Sequence, residues 1–268
     1  MASWEFPCDG PIELSVNIAA GTVTVTAEPT STATAQISRS GWGADADLES
    51  EISVDYDHGQ LRVTQRKLTG LRLRGHSFDV DVVVPPGSDC RVMTAAADVT
   101  GRGEIGALNV KTASGTVTSD RVRGPADVAT MSGTIRLGEV TGRACAKTAS
   151  GWITLASAAD DVDVTSVSGD ISIGTARANV AANTASGRVR IDSVSHGDTG
   201  VNTVSGDVSI AVAPGIGVYL DLSSLSGRVS SDLAPDEGAA AEAGLRLHGR
   251  SVSGSLRVSR AKSATVAG

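Results

Sequence analysis

The dipeptide Ser-Gly returns through most of this chain with a near-constant period. It stands at 114–115, 132–133, 150–151, 168–169, 186–187, 205–206, 226–227 and 253–254, at intervals of 18 residues four times and then 19, 21 and 27. A fixed period near 20 residues marks stacked coils, each too thin to bury an apolar face alone. An earlier segment, TAAADVTG at 94–101, fits one period before the first copy, with Ala97 in the glycine position. The spacing predicts an all-β, single-stranded β-solenoid of about nine coils over residues 92–260.

Within a unit the apolar positions alternate. Met131, Gly133, Ile135 and Leu137 share one parity, as do Val167, Gly169, Ile171 and Ile173. Period-two alternation predicts a strand with one buried face. A second apolar station precedes each strand at Val110, Val128, Ala146, Val164 and Ala182. A third follows at Val122, Val140, Ala158, Ala176 and Val194. By this parity the repeat glycines, Gly115, Gly133, Gly151, Gly169, Gly187, Gly206, Gly227 and Gly254, face the interior. A residue without a side chain there allows a bend or a close approach of the opposite wall. Two hydroxyl rows fall on the other parity and are read as outward. One runs through Thr112, Thr130, Thr148, Ser166, Thr184, Thr203 and Ser224, and the other through the serines of Ser-Gly.

Residues 1–91 are rich in alternating runs but out of register with the repeat, and read either as an antiparallel cap or as degenerate coils. Ala19, Gly21, Val23 and Val25 echo the coil pattern. Trp4, Phe6 and Trp42 are assigned to the core of this region, and the basic run Arg66–His76 to a solvated loop. An insertion near 233–247 accounts for the 27-residue interval, after which 249–260 restores the register as the last coil. Residues 261–268 read as a flexible tail.

Composition narrows the function classes. Aromatics make up 3% of the chain, which suits thin coils better than a wide core. A net charge of −7 speaks against general nucleic-acid affinity. No stretch approaches the roughly 20 apolar residues of a membrane span. The opening MASWEFPCDGPIELSV lacks the basic and apolar regions of a secretory leader, so a cytoplasmic location is expected. Cys8, Cys90 and Cys145 are too widely spaced for a zinc site or a disulfide framework.

Chemistry-bearing motifs are sparse. His58, His76, His196 and His248 sit in no metal-binding spacing, and no GxSxG elbow or phosphate loop occurs. Asp160, Asp161 and Asp163 form the densest acidic cluster but lack the GGxGxD repeat of calcium-binding rolls, and read as a solvated turn. No cofactor, metal or catalytic residue is expected, and the chain is read as a non-enzyme. Trp152, Asp170, Arg188 and Asp207 each follow a Ser-Gly and line up as an interaction face, with Trp152 as its anchor.

The units T-x-S-G-x-[VI]-x-[LI], the early AAGTVTVTA and the lead-in DVDVVVPPGSDCRV resemble the DUF4097 family of bacterial β-strand-repeat proteins, which carry an adhesin label. The resemblance spans roughly 12 to 260 and rests on eight copies in register. It implies a β-solenoid-type fold and supplies no catalytic residues. Together these readings predict a structural or protein-interaction solenoid that presents a rigid ladder surface to a protein partner or to itself. Carbohydrate binding and self-polymerisation are the alternatives.

Overall fold

The computed structural model describes residues 2–40, 48–66, 77–233 and 244–261. The run 67–76, Trp42, most of the insertion (234–243) and the tail beyond 261 lie outside the described residues. The chain is all-β, divided into two compact units, Met1–Gly138 and Glu139–Gly268.

The first unit holds β1 (Ala2–Pro7), β2 (Glu13–Ala27), β3 (Thr32–Ser40), a single helical turn α1 (Leu48–Glu51), β4 (Ile52–Asp57), β5 (Gln60–Gln65) and β6 (Ser77–Val84). It continues with β7 (Asp89–Ile105), β8 (Leu108–Ser114), β9 (Val117–Val122) and β10 (Ala126–Ser132), and β11 (Ile135–Val140) runs across the division. Here β2 lies parallel to β7 along its length, from Glu13 opposite Asp89 to Ala27 opposite Gly103. Its other edge splits: Glu13–Asn17 pairs parallel with β5, and Gly21–Ala27 pairs parallel with β6. Beyond them the pairing turns antiparallel, β4 on β5, β3 on β6 and β1 on β3. The region therefore combines one full coil with antiparallel outer strands. Phe6 stacks on Tyr56 with ring centroids 5.1 Å apart, and both Phe6 and Trp4 are half-buried.

The second unit repeats one plan. It contains β12 (Ala144–Ser150), β13 (Ile153–Ala158), β14 (Val162–Ser168), β15 (Ile171–Ala176), β16 (Val180–Ser186), β17 (Val189–Val194), β18 (Gly197–Ser205) and β19 (Val208–Val212). Then come β20 (Val218–Ser224), β21 (Val229–Ser231), β22 (Leu245–Ser253) and β23 (Leu256–Arg260). Each coil is two strands meeting at Ser-Gly. First strands pair only with first strands and second with second, always parallel: β14 with β12 and β16, and β15 with β13 and β17. The register advances by the repeat length, so like residues stack: Val162 on Val180, Ile171 on Val189.

The buried faces show why the alternation misleads at the glycine. Val162, Val164 and Ser166 are buried before Ser168-Gly169, and Ile171, Ile173 and Ala176 after it. The inward parity changes across the corner. Val167, expected inside with Ile171, is 54% exposed, and Met131 in the first unit is 65% exposed. Parity holds only along a continuous strand, and the turn at Ser-Gly resets it. The second and third apolar stations face the core: Val164, Ala182, Ala176 and Val194 are all buried. At roughly 1.5–3 kcal/mol for each large aliphatic side chain buried, these stations drive coil stacking.

The hydroxyl rows divide. The serines of Ser-Gly are outward, but Thr112, Thr130, Thr148, Ser166, Thr184 and Thr203 are buried, contrary to the outward reading. They share parity with Val110 and Val164, so the strand carries them inward.

The last coils are also rearranged. Strand β22 pairs with β18 on one side and β20 on the other, and β23 likewise lies between β19 and β21. The final coil in sequence is thus penultimate in space, which corrects the simple restoration of register at 249–260. The chain runs out to the end coil and returns to fill the gap it left. Packing accounts for this order. Leu245 and Leu247 are fully buried, and Gly249 leaves room for Leu222, whose Cδ2 would lie 2.7 Å from a Cβ added there.

Candidate functional site

The Ser-Gly corner is the feature most repeated in space. The glycines are half-buried at the bend and do not point into the core, apart from Gly227, which is exposed on the end coil. Their need for no side chain comes from the neighbouring coil. A Cβ on Gly169 would lie 1.9 Å from the carbonyl oxygen of Gly151, and one on Gly187 would lie 2.2 Å from that of Gly169. The same holds for Gly206 over Gly187, Gly254 over Gly206 and Gly227 over Gly254, at 1.9–2.1 Å. In the first unit Gly115 meets the Ala97 carbonyl at 2.2 Å, and Gly133 meets that of Gly115 at 2.0 Å. Gly169 also adopts φ +155°, as does Gly151. Backbone stacking, not interior volume, holds glycine at this corner.

The residue after each glycine is outward. Trp152 is 61% exposed, and Asp170, Arg188 and Asp207 are exposed on successive coils of the second unit. Two of the four are engaged in the architecture. The Arg188 N–H donates to Asp170 Oδ1 at 2.8 Å, and the Ser255 N–H donates to Asp207 Oδ1 at 2.9 Å. In the first unit the Thr116 N–H donates to Asp98 Oδ1 at 2.6 Å. An aspartate at this position bonds the first backbone donor of the next coil, where the bend would leave it without a ladder partner.

Sequence reasoning missed the residue before each Ser-Gly. In the second unit Val167, Val204, Val252 and Leu225 are 54%, 55%, 47% and 83% exposed. Ladder pairing steps over this position, from Ser166 opposite Thr184 to Ser168 opposite Ser186. The result is an outward apolar column along the corner, with Trp152 on the adjoining column one coil before Val167. The signal was present in Val162 and Val164, whose alternation carries Ser166 inward and Val167 outward.

A second feature lies at the opposite end of the first strands. A groove of about 510 Å³ is lined by Arg143, Asp161, Asp163, Asn179, Asp198 and His248, with Ala181 and Gly200 among its lining residues. Asn179 links its wall. Its Nδ2 donates to Asp161 Oδ1 at 2.9 Å, and the Asp198 N–H donates to its Oδ1 at 2.8 Å. Arg143 sits 3.7 Å from Asp163. His248 stands between Asp198 and Asp221, 3.4 Å from each. A smaller groove in the first unit, about 200 Å³, involves Glu13, Asp89, Arg91 and Asp127. Among the described residues no group of three or more His, Cys, Asp or Glu is placed to hold a metal ion, and no helix is long and apolar enough to cross a membrane. Cys90 is buried, and burial, with a smaller contribution from Asp89, pushes its thiol pKa up to about 12.

The sequence matches the family model Toastrack DUF4097 over residues 8–195. No curated protein matches it. Among solved structures it is similar to a "putative cell adhesion protein" from Clostridium sporogenes, at 10% identity over 97% of this chain and 99% of that one, with a TM-score of 0.26. It is also similar to a "putative adhesin" from Parabacteroides distasonis, at 11% identity over 96% of each chain and a TM-score of 0.41. A "putative lipid binding protein" from the same species matches at 9% identity over 97% and 96% of the two chains, with a TM-score of 0.38. Likeness at this level transfers no activity or ligand. With a family match covering more than half its length, on coils of the kind described above, the chain belongs to the DUF4097 (Toastrack) family.

Proposed function

We propose that this protein is a non-enzymatic interaction scaffold that presents its Ser-Gly corner to a protein partner. The observation that carries the reading is the outward apolar column of Val167, Val204 and Val252 beside the exposed Trp152. Aliphatic side chains and an indole standing in water on a backbone fixed by ladder pairing form a pre-ordered docking surface. The engagement of Asp98, Asp170 and Asp207 with backbone donors of the next coil supports a structural role for the carboxylates nearest this surface.

The test is a double variant, Trp152→Ala with Val204→Asp, compared with the parent chain by quantitative crosslinking in native cell extract. Loss of one specific crosslinked species with unchanged circular dichroism supports the reading. An unchanged crosslinking profile contradicts it, and release of sugar from a polysaccharide panel overturns the non-enzymatic assignment.

The polar groove favours a second reading, glycan binding. Arg143, Asp163, Asn179, Asp198 and His248 alternate donors and acceptors beside the small residues Ala181 and Gly200. Saturable binding of an oligosaccharide that Asp163→Ala abolishes, with the corner variant unaffected, would establish it in place of the first.

A further inference from the structure

Among the described residues the end coil is open on one side: β20 pairs with β22 and β21 with β23, and no strand pairs with their other edges. The inward positions of β20, Val218, Leu220 and Leu222, are half-exposed, whereas Leu245 and Leu247 on β22 are fully buried. Tyr219, Leu225 and Val229, three of the large exposed apolar residues, belong to this one coil, at 58%, 83% and 42% exposure. Natural sheets blunt such an edge with charged side chains, lysine above all, with proline or with a bulge. The sequence of β20, VYLDLSS, has no lysine or proline, pairs with β22 without a break in register, and carries one charge, Asp221, which faces His248 at 3.4 Å.

From this edge we propose that the protein forms a closed dimer in which β20 pairs antiparallel with β20 of a second copy. The pairing itself runs through β20 and uses none of the corner residues Trp152, Val167, Val204 and Leu225. The strand is self-complementary about Leu220. A two-fold axis there sets Leu220 against Leu220 of the partner subunit and Val218 against Leu222 of the partner subunit, so inward residues meet inward residues. On the outer face Tyr219 meets Asp221 of the partner subunit, twice by symmetry. Shifting the axis to Asp221 would set two carboxylates directly opposite each other, which is destabilising. Charge excludes the Asp221-centred register, and of the others the Leu220-centred one alone sets Val218, Leu220 and Leu222 all against apolar partners within the strand. An isologous contact of this kind closes on itself and ends at two copies, because it uses the free edge of β20 in each copy and leaves that strand none to offer a third.

Sedimentation velocity on the full chain, from about 1 to 200 µM, reads the outcome. A concentration-dependent monomer–dimer equilibrium is expected. Tyr219→Asp, which sets carboxylates opposite Asp221, should raise the dimer dissociation constant at least tenfold, while Tyr219→Lys should leave it equal or lower. Tyr219 is an outward residue, so equal thermal midpoints in dilute solution will show that both variants fold. Leu220→Cys should give a disulfide-linked dimer on oxidation that the parent chain does not give. A monomer at every concentration, a dimer indifferent to both Tyr219 variants, or assembly beyond two copies overturns the proposal. Slow hydrogen exchange in a pure monomer at the β20 amides that do not donate to β22 also overturns it, since the chain's own segment would then cover the edge.

Discussion

At the scale of single residues the corner glycine is held by its neighbour's carbonyl, and this separates Gly169 from Gly200, a glycine outside the corner. Gly169→Ala brings a methyl within 1.9 Å of a backbone oxygen, at a φ that L-residues avoid, and should cost roughly 2 kcal/mol or more. Gly200→Ala meets nothing nearer than the Val180 carbonyl at 4.0 Å and should be neutral or stabilise by up to about 1 kcal/mol. Urea unfolding of the pair checks both. The inward hydroxyl row gives a prediction of opposite sign. The Oγ atoms of Ser166, Thr184 and Thr203 are buried without a hydrogen-bond partner among the described residues. Desolvating such a group costs about 1–3 kcal/mol. Thr184→Val keeps the shape and removes the hydroxyl, so the midpoint of unfolding should rise. Cys90 adds a dependence on pH. Its folded-state pKa is raised from 9.0 to about 12, so the folded chain holds the proton where the unfolded chain loses it. The stability it contributes is complete below pH 9.0 and is lost as pH rises toward about 12. Cys90→Ala should show a shallower loss of stability across that window in a pH series of denaturant titrations.

At the scale of strands and coils, much of the architecture is legible because stacking repeats it. The period locates the corners, and Val164, Ile171 and Ala176 locate three inward stations of one coil. Two things are not legible. Alternation reports parity along a strand but not whether a turn preserves it, so Val167 was read into the core and Ser166 out of it. The order of the last coils is set by non-local packing, Leu222 over Gly249, which no window of sequence displays. The candidate face was half legible. The column after the glycine is outward, but Asp170 and Asp207 bond the next coil, and the apolar column beside it was missed. Asp170→Ala removes the acceptor of the Arg188 N–H and should cost about 1 kcal/mol, with faster hydrogen exchange confined to the start of β17. Uniform loss of protection through the second unit would mean that the coils do not yield one at a time.

At the scale of the whole molecule, the coils from β8 onward obey one rule: two strands per coil, a glycine corner, and a change of inward parity across it. The functional reading depends on that change, because it alone turns Val167, Val204 and Val252 out to solvent. Thiol labelling tests it most directly. With Cys145 replaced by serine, single cysteines at 164, 166, 167 and 171 are treated with a maleimide under native conditions, with Cys8 and Cys90 as buried references. The cysteine at 167 should react at the rate of an exposed thiol, and those at 164, 166 and 171 only on unfolding. Protection at 167 with rapid labelling at 166 would mean that the alternation runs unbroken through Ser-Gly, and both the corner and the surface proposed upon it would fall.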